Sequence, residues 1–197
     1  MHQNPEPLFA HDEPGPEFET FPLARLVERP GLAAEKAARR IRHYAQEGWI
    51  SPRAYRGTGP TAAQIWKPAD AAAVLALNAL NEAGVADRDV MGHASVALWG
   101  WQPEQSARSR QGTHPITRAL WGTPRGEFWI FHVRILRDDQ SGQRMVRAYV
   151  YQDSEPPEFS PDARSPFLPE TSITVNLAPL LLPIAQRINS GATPNGH

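Results

Sequence analysis

The sequence predicts an α+β fold, helical in its first half, with a small antiparallel β-sheet module under helical cover in its second. Three observations predict it. Apolar residues recur at helical spacing from Phe21 to about Leu98. From Glu127 the period changes to two, the signature of half-buried strands. Between the two patterns lies a stretch rich in arginine, proline and small polar residues that suits neither. A length of 197 residues fits one moderate domain or two small ones. No run of eighteen apolar residues exists, so no membrane span is expected. Cysteine is absent, which excludes disulfides, thiolate metal sites and cysteine nucleophiles.

Residues 1–20 carry Glu6, Asp12, Glu13, Glu17 and Glu19 with no lysine or arginine, and they are rich in proline. This composition predicts a disordered acidic tail, able to shield a basic neighbour from non-specific polyanions. It has neither the basic start nor the apolar core of a signal peptide, so a cytoplasmic protein is expected.

Pro22 suits the first turn of a helix in which Leu23, Leu26 and Val27 form the buried side. Pro30-Gly31 breaks the chain, and Leu32 leads into a second helix. There Ala34, Ala37, Ala38, Ile41, Tyr44 and Ala45 make the inward stripe, while Lys36, Arg39, Arg40 and His43 fall on other sides and Arg42 near the seam. Two helices joined by so tight a turn form a helix-turn-helix, with basic side chains free to meet phosphates and base edges. Gly48 ends the second helix. Arg53–Arg56 and Gln64–Trp66, joined by Gly57-Thr58-Gly59-Pro60, predict a small hairpin or wing with Arg53, Arg56 and Lys67 at its edges. Pro68 and Asp70 start a third helix, whose Val74, Leu77 and Leu80 face inward, and Asp87 caps a fourth.

The net charge of −1 hides a polarised distribution: residues 21–70 hold nine cations against four acids. Positive charge concentrated on one module is the electrostatic footprint of a polyanion partner.

The run IRHYAQEGWISPR (Ile41–Arg53), the hairpin ending in Trp66, the Pro-Ala-Asp helix start and the NEAGV exit (Asn81–Val85) together resemble the winged helix-turn-helix of MerR-type transcriptional regulators over residues 21–92. The resemblance implies DNA binding, with Arg42 and Tyr44 on the DNA backbone and Arg56 in the wing. Four departures stand out. The Gly31–Arg42 stretch and the wing loop Gly57–Ala63 are longer than the family pattern. The dimerising coiled coil is interrupted by Trp99, Gly100, Trp101 and Pro103, and the cysteines of metal-sensing members are missing.

Residues 93–126 read as a basic linker with helical pieces, one of them near Ile116–Trp121, and Arg108, Arg110, Arg118 and Arg125 either follow a phosphate backbone or belong to a solvated loop. Residues 127–190 form the sheet module. Phe128–Arg137 and Arg144–Tyr151 pair across a turn at Asp138–Gln143, and a third strand carries Ile173, Val175 and Leu177. A closing helix starts at Pro179 and is interrupted by Pro183, and residues 191–197 are a second disordered tail.

A hairpin symmetric about Gln140-Ser141 sets Arg134 opposite Arg147 and His132 opposite Tyr149. Like charges directly across a sheet cost roughly 0.2–1 kcal/mol unless an anion or acid sits between them. His132, Arg134 and Arg147 therefore form either an anion or effector face or a solvated one, and the acidic excursion Asp153–Glu170 is a source of partners. The histidines make no metal box, and there is neither a phosphate loop nor a nucleophile elbow, so no metal, no cofactor and no enzyme are expected. Trp99, Trp121 and Trp129 read as core rather than as stacking platforms for bases.

The function expected is sequence-specific binding of double-stranded DNA by a bacterial or phage-type transcriptional regulator. Lys36, Arg39, Arg40 and His43 face the major groove, while Arg42, Tyr44, Arg53, Arg56 and Lys67 hold phosphates. A single unit of this size offers little contact, so a homodimer or higher homo-oligomer is expected. The sheet module would serve self-association or sensing, which leaves room for a small-molecule effector. The alternatives are an architectural or excisionase-like recombination accessory, and a protein-interaction adaptor that does not touch DNA.

Overall fold

The computed structural model describes residues 15–59, 62–100, 113–157 and 167–191. Within them the fold is α+β, with six α-helices and two three-stranded antiparallel sheets.

Helix α1 (Thr20–Leu26) and helix α2 (Ala34–Gln46) flank a tight turn. Arg29 and Leu32 exchange backbone hydrogen bonds across Pro30-Gly31, and Gly31 adopts φ 82°. Proline followed by a left-handed glycine is the pattern of a type II turn, so this corner is dictated locally. Strands β2 (Ala54–Arg56) and β3 (Ala63–Trp66) form the expected hairpin.

The first sheet gains a strand from the supposed tail. Phe18–Glu19 (β1) pairs with β3, placing Phe18 opposite Trp66 and Glu19 opposite Ile65, and Phe18 is buried. The disordered reading of residues 1–20 is thus corrected for Phe18–Thr20. The isolated Phe18 carried no periodicity, yet β3 offered it a free edge and an apolar seat. The rest of the expected tail, residues 1–14, lies outside the described residues.

Helix α3 (Pro68–Glu82) is the hub. Asp70 accepts the backbone N–H of Lys67 at 2.7 Å, which closes its first turn. The expected stripe Val74, Leu77 and Leu80 is buried, but so are Ala71, Ala72, Ala73 and Ala76 on the other sides. A helix buried all round belongs to the centre of a core. Its alanines let helices α1, α2 and α4 (Arg88–Trp99) approach together with the C-terminal elements α5 (Pro115–Gly122) and α6 (Ala178–Asn189). Asp87 caps α4 by accepting the N–H groups of Asp89 and Val90.

In the second sheet, β4 (Trp129–Asp138) runs between β5 (Arg144–Gln152) and β6 (Phe167–Asn176). Trp129, Phe131, Val133 and Ile135 turn inward as alternation required, with Val150 and Ala148 beside them. The sheet packs on α4 and α5 through β5 and on α3 through β6.

The boundary expected at residues 92–93 falls inside α4, and much of the expected linker is helix, with Ile116, Ala119 and Leu120 wholly buried. Buried residues from Phe18 to Ala185 make one continuous cluster. Arg187 of α6 reaches the end of α1, donating from Nη1 to the carbonyls of Leu26 at 2.8 Å and Glu28 at 3.3 Å. These are carbonyls that a helix end leaves without partners. Pro183, expected to interrupt the last helix, sits inside a continuous α6. Pro179, whose carbonyl loses its donor there, is exposed and open to water. Trp101, Arg108, Arg110 and residues 192–197 lie outside the described residues. No helix among the described residues is long and apolar enough to cross a membrane.

Candidate nucleic-acid interface

Helix α2 buries Ala34, Ala37, Ala38, Ile41 and Tyr44 and exposes Glu35, Lys36, Arg39, Arg42, His43 and Gln46. Of the residues expected to meet DNA, Lys36, Arg39, Arg42 and His43 therefore share one open side. Arg40 leans away, half-buried, with Nη1 3.9 Å from Glu82, a carboxylate that also binds Arg29 at 2.8 Å. Glu82 thereby ties the turn and α2 to the end of α3.

Tyr44 does not reach a backbone partner. It is 2% exposed and packs beside Trp49 with ring centroids 5.5 Å apart. Burial pushes its phenol pKa up, against a smaller opposing effect of Arg40. Spacing explains the correction: Ala37, Ile41 and Tyr44 are one stripe, and core packing prevails over the position implied by family resemblance. His43 sits edge-on to Trp49 at 5.7 Å, which fixes its ring on the open side.

Arg53 is also corrected. Its side chain is 14% exposed, pairs at 3.3 Å with the fully buried Asp70, and lays its guanidinium 4.8 Å from the Trp99 ring. The Trp99 carbonyl in turn accepts a hydrogen bond from His114 Nδ1 at the start of α5. Arg53 is thus part of the core's polar joint between hairpin, α3, α4 and α5. A buried carboxylate demands a counter-ion more strongly than a solvated phosphate attracts one.

Arg56 is exposed and Lys67 half-buried, and each meets an acid of the N-terminal segment. Arg56 pairs with Glu19 at 3.0 Å, and Lys67 pairs with Glu17 at 3.5 Å while donating to the carbonyl of Gly15 at 3.3 Å. Two of the cations at the hairpin's edges are thus paired with acids that precede α1.

The structure adds two residues that the sequence left unremarked. Phe21 of α1 is 42% exposed, and the Arg25 guanidinium lies 5.0 Å from its ring centre. Phe21, Ala38, Glu35, Arg39 and Arg42 line an open notch of about 280 Å³ between α1 and α2. No acid among the described residues forms an ion pair with Arg25, Arg39 or Arg42. The exposure of Phe21 depends on how α1 lies across α2, which periodicity does not encode.

In the second sheet the expected register holds. Arg134 stands opposite Arg147 and His132 opposite Tyr149. His132 Nε2 is 2.6 Å from Ser172 Oγ of β6. Burial, aided by the Arg134 charge, holds the His132 pKa below its usual value. Tyr149 and Tyr151, on this same side, are buried, so the face is not simply solvated. A second opposed pair, Arg137 and Arg144, is bridged by Glu170 at 3.1 and 3.5 Å. Glu170 is the residue skipped where the β4–β6 register shifts, and the bulge aims its carboxylate at both arginines. Arg144 also pairs with the cap residue Asp87 at 3.2 Å. Glu170, at the end of the acidic excursion, therefore supplies a partner to the Arg137–Arg144 pair.

Among the described residues, no group of three or more His, Asp or Glu side chains is arranged to hold a metal ion. No protein-family model and no curated protein matches this chain.

Proposed function

We propose that this protein is a sequence-specific, DNA-binding transcriptional regulator whose residues 21–92 act as a MerR-like winged helix-turn-helix. The observation that carries the reading is the open side of α2, where Lys36, Arg39, Arg42 and His43 are exposed together. Arg39 and Arg42 lack acid partners among the described residues. The tight turn at Pro30-Gly31 holds α1 beside this side, with Phe21 next to Arg39 and Arg42, and the four side chains stay exposed. Phosphate contact passes from Tyr44 and Arg53 to Arg25, Arg39, Arg42 and Lys36. A second protomer supplies the remaining contact area, with the second sheet, whose β5 and β6 are both edge strands, as the element for self-association or effector sensing.

The test is binding of the purified full-length protein to genomic fragments around its own gene, titrated at several salt concentrations. Tight, selective binding with a steep salt slope supports the regulator. Each of Arg39→Ala and Arg42→Ala should flatten the slope by about 0.9, the share of one phosphate contact. Weak, equal binding to every fragment, with bending, would replace the regulator by the architectural accessory.

A specific observation favours a second reading, a protein-interaction adaptor. Glu19 and Glu17 already occupy Arg56 and Lys67, two of the cations a wing would offer to DNA. Absence of DNA binding at low salt would select it.

A further inference from the structure

We infer that the notch between α1 and α2 reads the 5-methyl group of thymine in duplex DNA. The inference rests on the DNA-binding reading above and names what that surface recognises.

Its lining is apolar, with the exposed Phe21 ring over the buried Ala38, and Arg39, Arg42 and the lone acid Glu35 border it. An aromatic ring left 42% exposed has a large apolar face to offer. The Arg25 guanidinium, 5.0 Å from the ring centre, holds that ring in place and adds a third cation next to Phe21. An uncharged apolar peptide would cover the floor and leave three guanidinium groups without counter-charge. Duplex DNA answers both needs, because its phosphates flank base edges on either side of the groove. In the major groove the thymine methyl is the apolar group that a base edge presents, and Ala and Phe are among the side chains that contact it. Arg39 and Arg42 lie within one stretch of α2, so a methyl seated on the Phe21 ring would have both beside it for the neighbouring phosphates.

The experiment compares binding of the full-length protein to poly(dA-dT) and poly(dA-dU) duplexes of equal length. The two polymers carry the same backbone charge and differ in the methyl group. The wild type should prefer the thymine polymer by about four-fold per seated methyl, the factor that burial of one such group yields. Phe21→Ala should bring the ratio to one with the salt slope unchanged, and Phe21→Gln should do the same while keeping side-chain length. Arg39→Ala should lower the slope on both polymers and keep the ratio. Equal wild-type affinity for the two polymers would overturn the methyl contact and leave DNA binding standing. A preference retained in both Phe21 variants would equally overturn it. Failure to bind either polymer at low salt would overturn the DNA-binding reading, and this inference with it.

Discussion

Replacing Arg53 by methionine tests whether this arginine belongs to the core or to a DNA contact. Methionine keeps the length of the apolar stem and removes the charge. In the native fold the guanidinium lies 3.3 Å from Asp70, whose side chain is fully buried, and 4.8 Å from the Trp99 ring. Taking one partner from a buried ion pair costs about 3–5 kcal/mol, because the remaining charge stays out of water. For a chain of this size each kcal/mol moves Tm by about 2–4 °C, so a fall of about 6–20 °C is expected. The assay is thermal unfolding followed by circular dichroism, with salt-titrated DNA binding of the folded variant alongside. Adding Asp70→Asn should recover part of the loss, since a neutral amide needs no counter-ion and can still accept the Lys67 N–H. An unchanged Tm with a salt slope flattened by about 0.9 would refute the argument and restore Arg53 as a phosphate contact.

Three further predictions follow from the same geometry. Tyr44→Phe should leave DNA binding, its salt slope and Tm essentially unchanged, because the phenol oxygen is buried without a hydrogen-bond partner; a uniform loss of affinity would return it to the DNA backbone. Gly122→Ala should destabilise by about 1–3 kcal/mol. An added Cβ would stand 2.1 Å from the Glu127 carboxylate and 2.7 Å from Trp129 Nε1, disturbing the 3.0 Å bond between them, and an unchanged Tm would refute this crowding. His132, with its folded pKa below 6.5, is protonated first in the unfolded chain as pH falls. Stability should therefore be fully present above about pH 6.5 and decline from there down to the depressed folded pKa. His132→Gln should remove that component of the melting profile, and an identical decline in the variant would rule it out.

Much of the local structure was legible in the sequence because it is fixed by nearby residues. Pro30 and Gly31 specify their turn, Asp70 and Asp87 specify helix starts, and the alternation from Trp129 to Ile135 specifies a half-buried strand. The pairing of Arg134 with Arg147 followed from the position of the turn, since antiparallel register is counted from it. The amphipathic pattern of α2 likewise placed Lys36, Arg39 and His43 outward and Tyr44 inward, and that pattern was the better guide to Tyr44 than family resemblance.

What only the tertiary structure decided concerns contacts between distant segments. Alanines on α3 carry little hydrophobic signal, yet their small size lets the two halves close over one core, which erased the expected boundary at residues 92–93. Arg53 and Arg56 look alike in sequence, but one is drawn inside by Asp70 and the other held at the surface by Glu19. Phe21 and Arg25 became candidate contacts only through the crossing of α1 and α2. Sequence spacing determines which side of its own helix or strand a residue occupies. What that side meets depends on how the elements are packed, because burial and charge pairing act through space between residues far apart in the chain.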